Sequence, residues 1–267
     1  MGGHRLVPDS LRRVTGQPIT IEGLVAAFAL PPGPAARRVP KASLADNVPT
    51  AADKRLIDGR LARLDWVAAI NPATAGIAAA SVDGLDVSTV NVLVAHTRGA
   101  MPTRLAEIIH RAVPQPVILV HGEDAPGAPA ALSLAPKRAA EREAGRIVVI
   151  ALHDSGVLTA ANRDFVAALS LAALPSRNLA TLYAGLIERV EALAAARRAA
   201  RPFRLAGSSD ELARWRDALS QVAALEARIA AHSAAMRKES RLAARVEIGE
   251  TVRQLKAALD TCRAVLD

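Results

Sequence analysis

The sequence predicts an α/β (α+β) mixed-sheet domain followed by an all-helical region that ends in an antiparallel coiled-coil hairpin. Three observations lead there. Between Trp66 and Leu152 the apolar residues come in short runs separated by Gly- and Pro-containing turns, the pattern of strands. After Asn162 they recur every three or four positions, the pattern of helices. Apolar residues make up 51% of the 267 while aromatics make up 2%, so alanine and leucine dominate, and both favour helix.

Taken in order, residues 1–19 read as a basic arm. ITIEGLVAAFAL follows as a short helix starting at Thr20 or Glu22. PPGPAARRVPK, Pro31 to Lys41, holds four prolines and cannot be regular helix. Thr50 opens the next helix, with Asp53 three residues on in a capping-box-like arrangement. Leu56, Ile57, Leu61 and Leu64 continue it at helical spacing. WVAAI, GIAAAS and VNVLVAH then read as three strands, split by the turns NPAT and DGLD. MPTRLAEIIHRAV is a helix with Pro102 at its start and a stripe of Leu105, Ile108, Ile109 and Val113. PVILV, ALSLA and RIVVIAL are three further strands. Strands joined by short turns pair antiparallel, while the helix between the third and fourth can act as a crossover. DFVAALSLAAL is a short helix, and Asn178 caps the helix LATLYAGLIERVEALAAARRA.

Ser209 begins a long helix with Leu212, Trp215, Leu219, Val222, Leu225, Ile229 and Met236 on one side. A turn near Lys238–Arg241 leads to a second series, Leu242, Val246, Val252, Leu255, Leu259, Cys262 and Leu266. Such spacings describe an antiparallel hairpin. The expected divisions are a basic arm with a short helix and Pro-rich linker (1–49), the mixed-sheet domain (50–155), a helical connector (156–207) and the hairpin (208–267).

Composition narrows the function classes. One cysteine, Cys262, permits no internal disulfide and leads us to expect a reducing cytoplasm. The amino-terminal stretch lacks a signal-peptide core, and no apolar run reaches the length of a membrane span. The formal charge is +8 and the isoelectric point about 10.6, which suits phosphate-rich partners. From Ser209 onward ten Lys/Arg face nine Asp/Glu, so the basic excess lies earlier.

A set of segments, in order, resembles the prokaryotic domain of unknown function family 4391. These are RRVPK (37–41), TAADKRLI (50–57), WVAAINPATAGI (66–77), RLAEIIHRAVPQPVILV (104–120), LSLAPKR (132–138), NLATLYAGLIERVEAL (178–193) and KESRLAARVEIGETVRQLKAAL (238–259). The resemblance covers about residues 28–260. It implies a bacterial protein encoded beside helicases and DNA methyltransferases in restriction or phage-defence clusters. It implies no established activity and supplies no catalytic residue. Members of that family commonly carry a histidine or an aromatic residue where Pro136 stands here.

Candidate site residues are basic. Arg37, Arg38, Lys41, Arg98, Arg104, Lys137 and Arg138 lie at element ends of the front half. Arg197, Arg198, Arg201 and Arg204 cluster where one helix gives way to the next. Arginine suits bidentate phosphate contact. No aromatics interleave with these charges, so base stacking is not expected. His96, His110, His121 and His153 show no metal-ligand spacing, and no Gly-x-Ser-x-Gly elbow or phosphate-cradling Lys-Ser/Thr loop is present. We therefore expect no cofactor, no metal and no catalytic constellation. The expected function is that of a non-catalytic accessory or interaction component of a helicase- or methyltransferase-linked DNA restriction or phage-defence system, with self-association through the hairpin.

The alternative is a divergent restriction-endonuclease-like, metal-dependent nuclease, motivated by the order helix, three strands, helix, strand. That chemistry needs an acid on the second strand and acid-x-lysine on the third. The third strand ends His96-Thr97-Arg98 instead. Asp83, Asp86 and Glu107 are the acids available to it.

Overall fold

The computed structural model describes residues 16–33, 35–45, 50–140 and 147–267. It divides into two compact units, Met1–Val190 and Glu191–Asp267. The first holds a mixed α/β sheet, and the second is helical.

Helix α1 (Ile21–Ala27) begins at Thr20, whose side chain accepts from the Gly23 N–H, as the sequence predicts. After it come strand β1 (Arg37–Arg38), helix α2 (Lys41–Ala45) and helix α3 (Ala51–Arg60). Thr50 caps α3 by accepting from the Asp53 N–H. The helix stops at Arg60, so Leu61 and Leu64 lie on strand β2 (Leu61–Ile70) and not on the helix their spacing suggested. Both are fully buried there. A three-residue spacing across a β-bulge and across a helical turn look alike in sequence, and β2 carries a register shift between Leu61 and Arg63.

NPAT forms a one-turn helix, α4 (Pro72–Ala75), closed by a reciprocal cap between Asn71 and Thr74. GIAAAS contributes only its end to a strand. Strands β3 (Ala80–Val82) and β4 (Leu85–Val87) form a separate two-stranded hairpin. Its turn residues Asp83 and Gly84 both have positive φ, 50° and 72°, the backbone of the favoured two-residue hairpin turn. Strand β5 (Val90–Thr97), helix α5 (Thr103–Ala112) and strand β6 (Val117–Glu123) then make a crossover unit in which β5 and β6 run parallel.

Strand β7 (Ala130–Leu134) pairs antiparallel with β6. Strands β8 (Lys137–Ala139) and β9 (Ile147–Val149) pair with each other, so RIVVIAL lies outside the main sheet. Strand β10 (His153–Asp154) returns to pair with β7. The main sheet is six-stranded, in the order β1-β2-β5-β6-β7-β10. Its central strands are buried on both faces, which is why VNVLVAH and PVILV read as unbroken apolar runs.

Helix α5 covers one face. Leu105, Ala106, Ile108 and Ile109 pack in one cluster with Leu64, Leu93, Ala95, Val117 and Leu119. Ile21 of α1 meets the other face, where a Cβ on Gly122 would stand 3.3 Å from the Ile21 side chain. Helix α6 (Arg163–Ala167) follows, and then helix α7 (Leu179–Arg198). Asn178 accepts from the Thr181 N–H at the start of α7. Gly185 is a close approach, since a Cβ there would stand 2.6 Å from Pro175.

In the second unit, helix α8 (Ser209–Lys238) is capped by Ser208 and helix α9 (Leu242–Ala264) packs back along it. Trp215, Ala218, Val222 and Leu259 form its core with Ala192, Ala195 and Leu266. Leu242 and Val246, which the spacing placed on the apolar stripe, are 75% and 64% exposed.

Tyr183 ties α7 to the sheet. Its hydroxyl accepts from the Ala135 N–H at 2.8 Å and donates to the Val117 carbonyl at 2.9 Å, and burial pushes its pKa up. Tyr183→Phe leaves the buried Ala135 N–H without an acceptor. It is expected to lower unfolding free energy by about 1–3 kcal/mol, measured as a shift of the urea midpoint at constant slope.

Candidate functional site

Two strands that run parallel end on the same side, and the crossover helix between them begins there. The carboxyl ends of β5 and β6 carry His96, Thr97, His121 and Glu123, and α5 starts beside them. This is where α/β sheets generally place ligands.

On the α5 face, His121 Nε2 lies 2.9 Å from Asp154 Oδ2 on β10. The second carboxylate oxygen, Oδ1, accepts from the Gly156 N–H at 2.7 Å. The His121 side chain is 9% exposed and that of Asp154 37%. The two line a cavity of about 580 Å³, together with Thr97, Thr103, Met101 and Leu152. A carboxylate oxygen accepts, so the Nε2 that faces it carries a proton. Asp154 thus fixes the orientation of the His121 ring at the strand ends.

Deeper under α5, His110 Nε2 lies 3.1 Å from Ser133 Oγ. His110 is fully buried, and its Nδ1 has no hydrogen-bond partner among the described residues. Burial, reinforced by nearby Lys137, pushes its pKa down to about 3. Register explains the row. Leu119 and His121 on β6 face Ser133 and Ala131 on β7, and Asp154 lies opposite Ser133.

On the other face, His96 Nε2 takes a hydrogen bond from Arg63 at 2.7 Å, and its Nδ1 is 3.6 Å from Asp124. His96, Glu22, Glu123 and Asp124 line a smaller cavity of about 260 Å³.

The basic residues singled out in the sequence differ in what they meet. Arg37 and Arg38 are exposed on β1, the sheet's edge strand. Lys41 is half-buried at the start of α2. Arg98 donates to the Asp58 and Leu61 carbonyls at the end of α3. Arg104 grips both oxygens of Asp53 at 2.9 and 2.8 Å, and Glu107 at 2.9 Å. That pairing lowers the Asp53 pKa and raises that of Arg104. Lys137 is buried, not at the surface, and its ammonium donates to the Val113 and Gln115 carbonyls at 2.6 and 2.7 Å. Burial brings its pKa down to about 7. Arg138 is half-buried and donates to Ala139.

In the helical unit Arg197 is exposed and Arg198 lies 3.6 Å from Glu226. The guanidinium groups of Arg201 and Arg204 lie 4.6 and 4.8 Å from the Trp215 ring centre, within cation–π range. Arg201 also donates to Leu266, and Arg204 to Glu211 and Asp267.

The acids considered for metal-assisted cleavage lie on different elements. Asp83 is in the hairpin turn, Asp86 is on β4, and Glu107 on α5 is paired with Arg104 and Arg111. Among the described residues no group of three or more His, Cys, Asp or Glu could hold a metal. No described helix is long and apolar enough to cross a membrane.

Sequence reasoning noted His121 but missed its partner. The separation of 33 positions between His121 and Asp154, and a β10 only two residues long, leave no local signal.

A family model described as "Domain of unknown function (DUF4391)" matches residues 28–259. No curated protein and no solved structure matches the chain.

The buried His110 makes stability depend on acid. The unfolded chain binds a proton near pH 6.5, and the native chain only near pH 3. The stability His110 contributes is therefore complete above pH 6.5 and is lost as pH falls toward 3. Between pH 6 and 4, wild-type unfolding free energy should fall more steeply than that of His110→Gln, by about 1.4 kcal/mol per pH unit. Parallel curves from denaturant titrations at each pH would show that His110 is not the group responsible.

Proposed function

The chain belongs to the DUF4391 family, and from that premise we propose that it works by binding, as a nucleic-acid-contacting accessory component in the company of a helicase or DNA methyltransferase of a restriction or phage-defence system. One observation carries the reading. Arg37 and Arg38 stand exposed on the outermost strand of the main sheet, opposite Trp66 and Asp65. Adjacent arginines on an open edge can each take a backbone phosphate, and the formal charge of +8 favours approach to a polyanion. The short strand itself suits this use. Charge on an edge discourages pairing with another chain's strand while leaving the side chains free for an anion.

The binding is to backbone and not to bases, because no aromatic side chain alternates with the arginines. Affinity for duplex DNA is therefore expected to depend on salt and little on sequence. In a salt series, Arg37→Ala/Arg38→Ala should flatten the slope of log K against log salt by about 0.9 for each phosphate that the arginines no longer neutralise. Both side chains are exposed, so the fold should survive the change. Equal slopes for variant and wild type would rule the edge out as the phosphate-binding surface. Co-purification with the neighbouring helicase or methyltransferase subunits tests the accessory role separately.

A further inference from the structure

Arg63 on β2 is an arginine whose engagement depends on a titratable partner. Its Nε lies 2.7 Å from Asp65 Oδ2, and its Nη2 lies 2.7 Å from His96 Nε2 on β5. An arginine carries donors alone and keeps its proton at any ordinary pH. His96 Nε2 is therefore the acceptor, so the ring is neutral and its proton sits on Nδ1, 3.6 Å from Asp124 Oδ1. The Arg63 side chain is 45% exposed, that of His96 12%.

We propose that His96 is a proton-controlled latch on Arg63, and that protonation of the ring adds Arg63 to the phosphate-contacting surface that begins at Arg38, a device that rests on phosphate binding at the β1 edge. Arg38 stands opposite Asp65 in the β1–β2 register, and Arg63 lies two residues along β2 from Asp65. Cross-strand partners and second neighbours share a face, so Arg38, Asp65 and Arg63 project from the same side of the sheet. Diagonal neighbours of this kind stand roughly 7–8 Å apart, so the two arginines can take neighbouring phosphates of one backbone.

With a proton on Nε2, ring and guanidinium become two cations whose N–H groups face each other, and the bond between them is lost. Asp65 Oδ2 is 3.9 Å from Nε2, within a small turn of the ring. The imidazolium then competes for the carboxylate oxygen that also holds Arg63, while its Nδ1–H faces Asp124. Glu22 of α1 and Glu123 of β6 line the same cavity as His96. Arg98, two residues along, is occupied at the end of α3. A positive ring thus has carboxylates around it and repels the cation that touches it, so Arg63 turns toward solvent.

Duplex DNA binding by the full chain is measured across a salt series at pH 8 and at pH 5.5, a span that brackets ordinary histidine titration. In wild type the slope of log K against log salt should be steeper at pH 5.5 by about 0.9, the value of one added phosphate contact. Other histidines titrate too, so two variants assign the increment. His96→Gln keeps an oxygen that accepts from Arg63 but takes up no proton, and Arg63→Gln removes the latched cation. Each should lack the increment. Without DNA, the ring nitrogen resonances of wild-type His96 at pH 8 should show Nδ1 protonated and Nε2 bare. A ring protonated on Nε2 at pH 8 overturns the proposal, as do equal wild-type slopes at the two pH values, an increment that either variant retains, or no DNA binding at either pH. Arg37→Ala/Arg38→Ala judges the edge separately. A wild-type slope for that variant at pH 8 counts against the edge, whereas an increment missing from wild type counts against the latch.

Discussion

Parallel pairing of β5 with β6 is the constraint on which the sheet-bearing unit depends. The register runs without a break from Asn91↔Val117 to Thr97↔Glu123. Parallel neighbours cannot be joined by a tight turn, so the chain must cross the sheet between them. Helix α5 makes that crossing and offsets the cost of its own ordering by burying Leu105, Ile108 and Ile109, at roughly 1.5–3 kcal/mol for each large side chain. The consequence for chemistry is directional. Both strands end, and the helix begins, on one side of the sheet, with a cavity on each face of the paired ends.

Helix α5 is also anchored by charge at both ends, against what its dipole alone would choose at one of them. Arg104 lies in the first turn, where a cation is disfavoured. It is compensated by both oxygens of Asp53 on α3 and by Glu107 one turn along. At the other end Lys137 donates to the Val113 and Gln115 carbonyls just past the helix. There a buried amine donor, its pKa lowered by desolvation, meets carbonyls at the end of the helix. The polar row of His110 and Ser133 lies between these anchors, beneath the helix. The core under α5 is therefore held by directional bonds as well as by apolar area, which fixes where His121 and Asp154 stand relative to the helix start.

What the sequence made legible follows from range. Caps act over three residues, so Thr20, Thr50 and Asn178 were readable and each caps as expected. Strands buried on both faces announce themselves as apolar runs, so β5, β6 and β7 were readable too. Two-residue strands such as β1 and β10 have no period to detect, and tertiary pairing alone creates them. Leu61 and Leu64 illustrate the converse: their spacing suits a helix, but the chain switches to strand at Leu61 and a bulge restores the burial. The His121–Asp154 pair was illegible because its partners meet only through β7, which lies between their strands. In the hairpin, periodicity named Trp215 and Leu242 alike. The first is buried and the second exposed, because the core gathers toward one end of the paired helices.

Net charge is the poorest guide to function in this chain. A formal charge of +8 suggests a broadly positive surface, but a cation already engaged by the fold has little left to offer a phosphate. Arg98 serves the end of α3, Arg104 serves Asp53 and Glu107, and Lys137 serves the end of α5. Arg201 and Arg204 flank Trp215 and hold the carbonyls of Leu266 and Asp267. To give these up for a phosphate, the protein would have to leave a buried acceptor or a carboxylate unpaired, at a cost comparable to the bond gained. Exposure and prior engagement, more than number, decide which arginines are available. By that criterion the pair on β1 is favoured over Arg98, Arg104 and Lys137.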